Sequence, residues 1–379
     1  MNPIFQRLMN EATRLTRSGN LKAATAAIQR ALHLGKTRNA DADPMAAQTP
    51  PAAAPEGDVI EAEVRVIIDP PPWAEFTFVE PAEVLEPVIV DEPEPEQWTD
   101  GRFAHGGRTL AYKLYLPPRV AGSAAPIPLV LMLHGCTQNP ADFAAGTRMN
   151  NLARAQGLAV LYPAQTHQAN AQGCWNWFKP QHQQRGRGEP ALLAALTQSV
   201  MSDHAINPAR VYVAGLSAGG AMADILARRY PEIFAAVGVH SGLPTGAASD
   251  LMTALAAMRG SAATTPPHEG KMPPVIVFHG DADATVHSSN GAAVVNAARA
   301  GLDGALHAPQ VTEGHSASGQ RFTRTVYPSS NGQAAVEHWL LHGAGHAWAG
   351  GSRSGSFADP DGVDASAEML RFFLAHPRD

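Results

Sequence analysis

The sequence is short of cysteine and aromatic residues, low in charge, and without any long apolar run. Two cysteines among 379 residues, Cys136 and Cys174, do not make the disulfide framework of a small secreted domain. In a reducing compartment they stay as thiols, and a bond between them needs oxidising conditions. No cysteine pair has zinc-site spacing and the histidines are scattered, so neither a metal nor a cofactor is expected. No uninterrupted apolar stretch approaches bilayer-spanning length, so no membrane span is expected. The opening stretch, MNPIFQRLMNEATRLTRSGN, interrupts its apolar positions with charges and has no small-residue cleavage site. A secretory signal is therefore not expected, and a cytoplasmic location is the default reading.

The net charge of −6 conceals three unlike segments. Residues 1–40 carry seven basic groups and one acidic group, residues 41–100 carry one and sixteen, and residues 101–379 carry twenty and seventeen. The body is nearly neutral and shows no basic footprint for nucleic acid. Ile4, Phe5, Leu8, Met9, Ala12 and Leu15, and then Leu21, Ala24, Ile28, Ala31 and Leu32, recur at helical spacing on either side of Ser18-Gly19-Asn20. Residues 1–40 therefore read as a helical hairpin that cannot bury its own apolar face and must dock on something. Residues 41–97 read as an acidic Pro/Ala/Glu-rich linker with one strand-like segment, DVIEAEVRVIID.

From residue 98 to 379 apolar runs alternate with helical stretches, which implies an α/β domain with a mainly parallel sheet covered by helices on both faces. RFAHGGRTLAYKLYLPP reads as two strands about a His-Gly-Gly turn, and ADFAAGTRMNNLARAQG as one helix. Ligands of such sheets sit at the carboxyl ends of the strands. At one of these ends VYVA runs into GLSAGG and then into a helix, so that Ser217 stands in a sharp strand-to-helix turn flanked by glycines. A serine hydroxyl needs a base to remove its proton, and the base needs a carboxylate to hold its tautomer. In chain order the sequence supplies Asp283 in HGDADATV after one strand and His346 in GAGHAWAGG after another. Asp281 competes for the acid role but is better read as closing its turn, and His240, His279 and His342 are read as strand-end structural histidines. The amide after the nucleophile, that of Ala218, and the amide of Cys136 in LMLHGCTQ are the expected oxyanion donors.

The stretches LHGCTQNPADFAAGTRMNNLARAQGLAVLYPAQ, CWNWF, GLSAGGAMA, VHSG, HGDADATV and GAGHAWAGG resemble the poly(3-hydroxybutyrate) depolymerase family of esterases, whose relatives include feruloyl and acetylxylan esterases. The resemblance covers about residues 98–379. It implies an α/β-hydrolase fold, with Ser217 as nucleophile, Asp283 as orienter and His346 as base of a serine esterase. The expected substrate is poly(3-hydroxybutyrate) or its oligomers, with short-chain, feruloyl or acetylxylan esters as the alternative. A non-enzymatic granule- or partner-binding protein is the other reading, and an intact triad argues against it. Trp175, Trp177 and Trp348 are expected to wall an ester-binding crevice. Both cysteines are expected in loops at the active site. The basic hairpin is expected to hold the enzyme at intracellular polymer granules, whereas secreted relatives suggest an extracellular alternative.

Overall fold

In a computed structural model the described residues are 94–378, apart from 121, 124, 262–271 and 303–305. The expected hairpin at 1–40 and nearly all of the expected linker lie outside the described residues. The last residues assigned to the linker belong to the folded body. Glu94 bridges to Arg119, Glu96 accepts a hydrogen bond from the Tyr115 hydroxyl at 2.7 Å, and Gln97 opens the first strand.

Ten strands form one sheet, in chain order β1 (Gln97–His105), β2 (Arg108–Leu116), β3 (Ile127–Leu133), β4 (Ala159–Ala164), β5 (Ile206–Leu216), β6 (Ala236–His240), β7 (Val275–Gly280), β8 (Gln310–His315), β9 (Arg321–Pro328) and β10 (Ala334–Leu341). Their spatial order is β1-β2-β4-β3-β5-β6-β7-β10-β9-β8. The six central strands, β4 to β10 in that order, are parallel, and an antiparallel pair extends each edge. The β1–β2 pair turns through Gly106 and Gly107, both in the left-handed region that glycine tolerates. The edge pair β8–β9 has no counterpart in the sequence reading, because Gln310–His315 is exposed along nearly all its length and carries no apolar alternation.

The central strands β3, β4, β6 and β7 read as apolar runs because helices cover both faces. Every residue of β3 from Leu129 to Leu133 is fully buried, and successive side chains enter opposite cores. One face carries α1 (Pro140–Thr147), α2 (Met149–Gln156) and α7 (Ala365–Leu374). The other carries α3 (Gly188–Asp203), α4 (Ala218–Arg229), α5 (Leu251–Met258) and α6 (Ser289–Ala300). The stretch expected as one helix is two, α1 and α2, because Arg148 between them adopts φ +54° and ends the first. Two short paired strands, β11 (Trp348–Ala349) and β12 (Ala358–Asp359), close the loop after β10.

The turn from β5 into α4 passes so close to β3 that side chains are excluded. A Cβ on Gly219 would lie 2.0 Å from the Leu133 carbonyl oxygen, and one on Gly215 would lie 2.4 Å from the Gly219 carbonyl. Gly219→Ala should therefore lower the unfolding free energy by about 1–3 kcal/mol, the usual cost of overpacking. Gly345→Ala, where a Cβ meets nothing within 4 Å, should stay within about 0.5 kcal/mol of the parent. Urea midpoints of the two variants measure the difference.

Candidate active site

Ser217, the residue between β5 and α4, has φ +58° and ψ −119°. A non-glycine residue there is strained, and such strain persists only where the surroundings fix the backbone. Three features fix it. The Ser217 amide donates to the His240 carbonyl at 2.9 Å, the Ala221 amide donates to the Ser217 carbonyl at 3.0 Å, and the flanking glycines lie against backbone. Ser217 is 8% exposed. Its side chain makes no hydrogen bond with any described residue.

The two partners read from the sequence come together. His346 Nδ1 donates to Asp283 Oδ2 at 2.7 Å, across the loops that follow β10 and β7. The other Asp283 oxygen accepts the amides of Thr285 at 2.9 Å and Val286 at 2.8 Å, so the carboxylate is held by its own turn. Burial alone would raise the Asp283 pKa. The nearby His279, whose Nε2 lies 3.6 Å from Oδ2, the hydrogen bond from His346 and the Val286 amide outweigh it and hold the carboxyl well below its ordinary range. Asp283 is thus a carboxylate at neutral pH and leaves the free Nε2 of His346 as the basic nitrogen.

Asp281 does not close its own turn. It accepts the Gly343 amide at 2.7 Å and pairs with His342 Nδ1 at 2.9 Å, while His342 Nε2 meets the Thr323 hydroxyl at 2.8 Å. This second Asp–His pair braces the β7 and β10 loops against β9. His279 donates from Nε2 to the Val286 carbonyl at 2.8 Å and so pins the turn that carries Asp283.

His240 links the Ser217 turn to the His346 loop. It ends β6, in register with Leu216, and its carbonyl receives the Ser217 amide. Its buried ring stacks between Phe278 and Trp348, and its Nε2 accepts the Ala349 amide at 3.0 Å, three residues beyond His346. An amide can only donate, so Nε2 is unprotonated and the ring proton sits on Nδ1, facing the Ser241 hydroxyl at 3.2 Å. Burial, followed by the neighbouring His279 and His346, lowers the His240 pKa to about 3 and keeps the ring neutral.

The expected oxyanion donors flank Ser217. Ala218 opens α4, so its amide has no carbonyl four residues earlier within the helix. A Cβ on Gly135 would stand 3.6 Å from the Ser217 Cβ, so the 134–136 loop lies against the Ser217 turn. Neither the Cys136 nor the Ala218 amide donates to a described residue. The loop is fixed from several sides. His134 Nε2 accepts the Gln165 amide at 3.1 Å and its Nδ1 donates to the Gly135 carbonyl at 2.8 Å, while Gln138 Oε1 accepts the Gly135 amide at 2.9 Å. Cys136 and Cys174 are joined by a disulfide, not left as the thiols a cytoplasmic default implies. The bond ties this loop to the 165–178 segment. That segment is organised by the buried Glu189, which accepts from Gln165 Nε2 at 2.7 Å and from the Asn176 amide at 2.7 Å. No sequence motif marks Glu189, whose role arises from contacts distant in the chain.

The tryptophans correct the sequence reading. Trp175 is fully buried with its indole N–H on the His134 carbonyl at 3.1 Å, Trp348 is 1% exposed with its own on Ser366 at 3.0 Å, and Trp177 is 6% exposed. All three are packed within the cores and offer no open face to a ligand. Among the described residues, no group of three or more His, Cys, Asp or Glu side chains is arranged to hold a metal ion.

A family described as "Esterase PHB depolymerase" matches residues 110–314. Poly(3-hydroxyalkanoate) depolymerase C of Paucimonas lemoignei is 32% identical over 60% of this chain and 56% of its own length. Poly(3-hydroxybutyrate) depolymerase of Ralstonia pickettii is 31% identical over 59% of this chain and 48% of its own length. The chain thus spans about half the length of these two relatives. Acetylxylan esterase A of Emericella nidulans is 26% identical over 52% of this chain and 70% of its own length. The solved acetyl xylan esterase of Aspergillus awamori superimposes with a TM-score of 0.58 at 19% identity, covering 74% of this chain and 98% of that one. The fold is that of the α/β-hydrolases.

Buried neutral histidines tie stability to pH. An unfolded histidine titrates near 6.5, whereas His240 in the fold binds a proton only near 3. Its contribution is therefore full above pH 6.5 and is lost as pH falls from there toward 3. His338, lowered to about 4 by burial and then by His279, acts in the same direction. His240→Leu should flatten the fall of unfolding free energy over this window, as read from urea titrations at stepped pH. An unchanged slope would mean that His240 is protonated within the fold.

Proposed function

Because the chain belongs to the PHB depolymerase esterase family, we propose that it is a serine carboxylic-ester hydrolase acting through an acyl-enzyme on poly(3-hydroxybutyrate) or its hydroxyalkanoate oligomers. The observations that carry this reading are the 2.7 Å bond between His346 and Asp283 and a serine held in a strained strand-to-helix turn. Ser217 Oγ attacks the ester carbonyl while His346 Nε2 takes its proton. The developing oxyanion rests on the Ala218 and Cys136 amides. The alcohol leaves with the proton from His346, and water then repeats the sequence to release the acid. Asp283 stays ionised throughout and stabilises the charged imidazole.

A second reading has its own support. The chain covers 70% of an acetylxylan esterase against 56% and 48% of the two polymer depolymerases. The same triad would then serve acetyl or other short acyl esters. The location follows from chemistry as well. The Cys136–Cys174 bond favours an oxidising compartment over the cytoplasm. Among the described residues no helix is long and apolar enough to cross a membrane. Attachment to polymer granules through residues 1–40 rests on their helical apolar periodicity and basic charge.

Ser217→Ala should abolish ester hydrolysis and fluorophosphonate labelling without loss of fold. Asp283→Asn should cost about 10⁴-fold in kcat, as expected when the base is left in the wrong tautomer. Asp281→Asn should be milder, and the reverse ranking would reassign the acid. Assays on amorphous poly(3-hydroxybutyrate), acetylxylan and p-nitrophenyl esters in parallel separate the two substrate readings. A chain starting at residue 91 should keep its rate on soluble esters and lose co-sedimentation with amorphous granules. Undiminished sedimentation would remove the tethering role from residues 1–40.

A further inference from the structure

With the three tryptophans buried, an aromatic that the sequence reading passed over stands beside the base. Phe357 is 45% exposed, and its ring centroid is 6.4 Å from that of His346 with the planes at 78°. This is an edge-to-face contact. Phe357 also has φ +50°. A bulky residue rarely takes that conformation, and where one does the surroundings must over-determine it.

They do so here. The Phe357 carbonyl accepts the Trp348 amide at 2.7 Å, two residues after His346. The preceding Ser356 donates its amide to Asp142 Oδ1 at 2.9 Å and accepts Gln138 Nε2 on its carbonyl at 2.9 Å. Gln138 in turn holds the Gly135 amide with its Oε1, so one side chain spans the oxyanion loop and the Phe357 segment. At Gly355 a Cβ would lie 2.4 Å from the Asp142 carbonyl oxygen, so the segment presses on α1 without room for a side chain. A ring held for packing would be buried by such a frame. This one is held in strain and left open to solvent.

We propose that Phe357 is a specificity-determining residue whose ring supports the alcohol half of the ester beside His346. The inference rests on Ser217 and His346 acting as nucleophile and base. In that reaction the carbonyl oxygen lies at the Cys136 and Ala218 amides, whereas the alcohol oxygen must reach His346 Nε2 to receive its proton. The first carbons of the alcohol are therefore the substrate atoms next to the base, and the aromatic ring beside that base meets them. The favoured class is esters whose alcohol carries apolar bulk at or next to the carbinol carbon. The alkyl-bearing carbinol of a 3-hydroxyalkanoate repeat and a benzylic alcohol both answer to it.

The test holds the acyl group constant and varies the alcohol, using ethyl, sec-butyl and benzyl acetate with the full chain. Phe357→Gly should raise KM for the sec-butyl and benzyl esters at least about tenfold, leaving kcat and the ethyl ester within about threefold, as for loss of an apolar subsite. Phe357→Tyr should retain the parent preference. Comparing sec-butyl with benzyl acetate shows whether the ring suits the branched aliphatic or the aromatic alcohol. The ratio of ethyl butyrate to ethyl acetate should not move, because the acyl chain lies elsewhere. An equal loss on all esters, no change on any, or a change that follows the acyl chain would overturn the proposal. Asn tolerates the left-handed region, so Phe357→Asn is a second variant. If both it and the glycine variant melt far below the parent, the ring serves the fold and the proposal fails. A parent protein that hydrolyses none of the esters would instead remove the esterase reading itself.

Discussion

The close approach of the β5–α4 turn to its neighbours governs the rest of the site. Ser217 can hold φ +58° only because its amide is bound by the His240 carbonyl and because Gly215 and Gly219 let backbone meet backbone. Those contacts draw in the ends of β3 and β6, and with them the 134–136 loop and the His240 ring. The ring then reaches the Ala349 amide and so fixes the loop that carries His346. Ser217 makes no side-chain hydrogen bond with any described residue, so the spacing of Ser217 and His346 is set by backbone and by one buried neutral imidazole. A substrate meets a site whose parts are already positioned, and little reorganisation remains for the reaction.

Charge is arranged with the same economy. Asp283 is held ionised against its burial by donors from its own turn and from His346, with His279 close by. His240 and His338 are held neutral by burial among other imidazoles. The two tendencies are complementary, since a second buried cation near His346 would oppose the imidazolium that the proposed reaction requires. The outer Asp281–His342 pair carries the exposed charge at the loop tips and braces them from solvent.

Much of this was legible from local pattern, and the failures have a common cause. The alternation of apolar runs with helical stretches reads directly as a parallel sheet, because strands buried on both faces leave no polar gaps. Gly215, Ser217 and Gly219 are adjacent in sequence, so the turn they make is visible there. Asp283 and His346 each follow a strand in glycine-containing loops, so chain order pointed to their pairing. Burial of the tryptophans could not be read, because a Trp beside a loop looks the same whether its ring turns inward or outward. Glu189, Gln138 and Phe357 depend on partners far away in the chain. The break at Arg148 is hidden because nothing in its side chain signals a left-handed backbone. The edge strand β8 is exposed and lacks the alternation by which strands are recognised.

The central claim is that Ser217 carries the acyl group between the two halves of the reaction. Rapid acid quench of the enzyme with p-nitrophenyl butyrate, followed by peptide mass mapping, tests it directly. A butyryl adduct is expected on the peptide containing Ser217, formed in the first turnover and greatly slowed when His346 is replaced by Ala. Steady product release with no adduct, or an adduct on another residue, would contradict it.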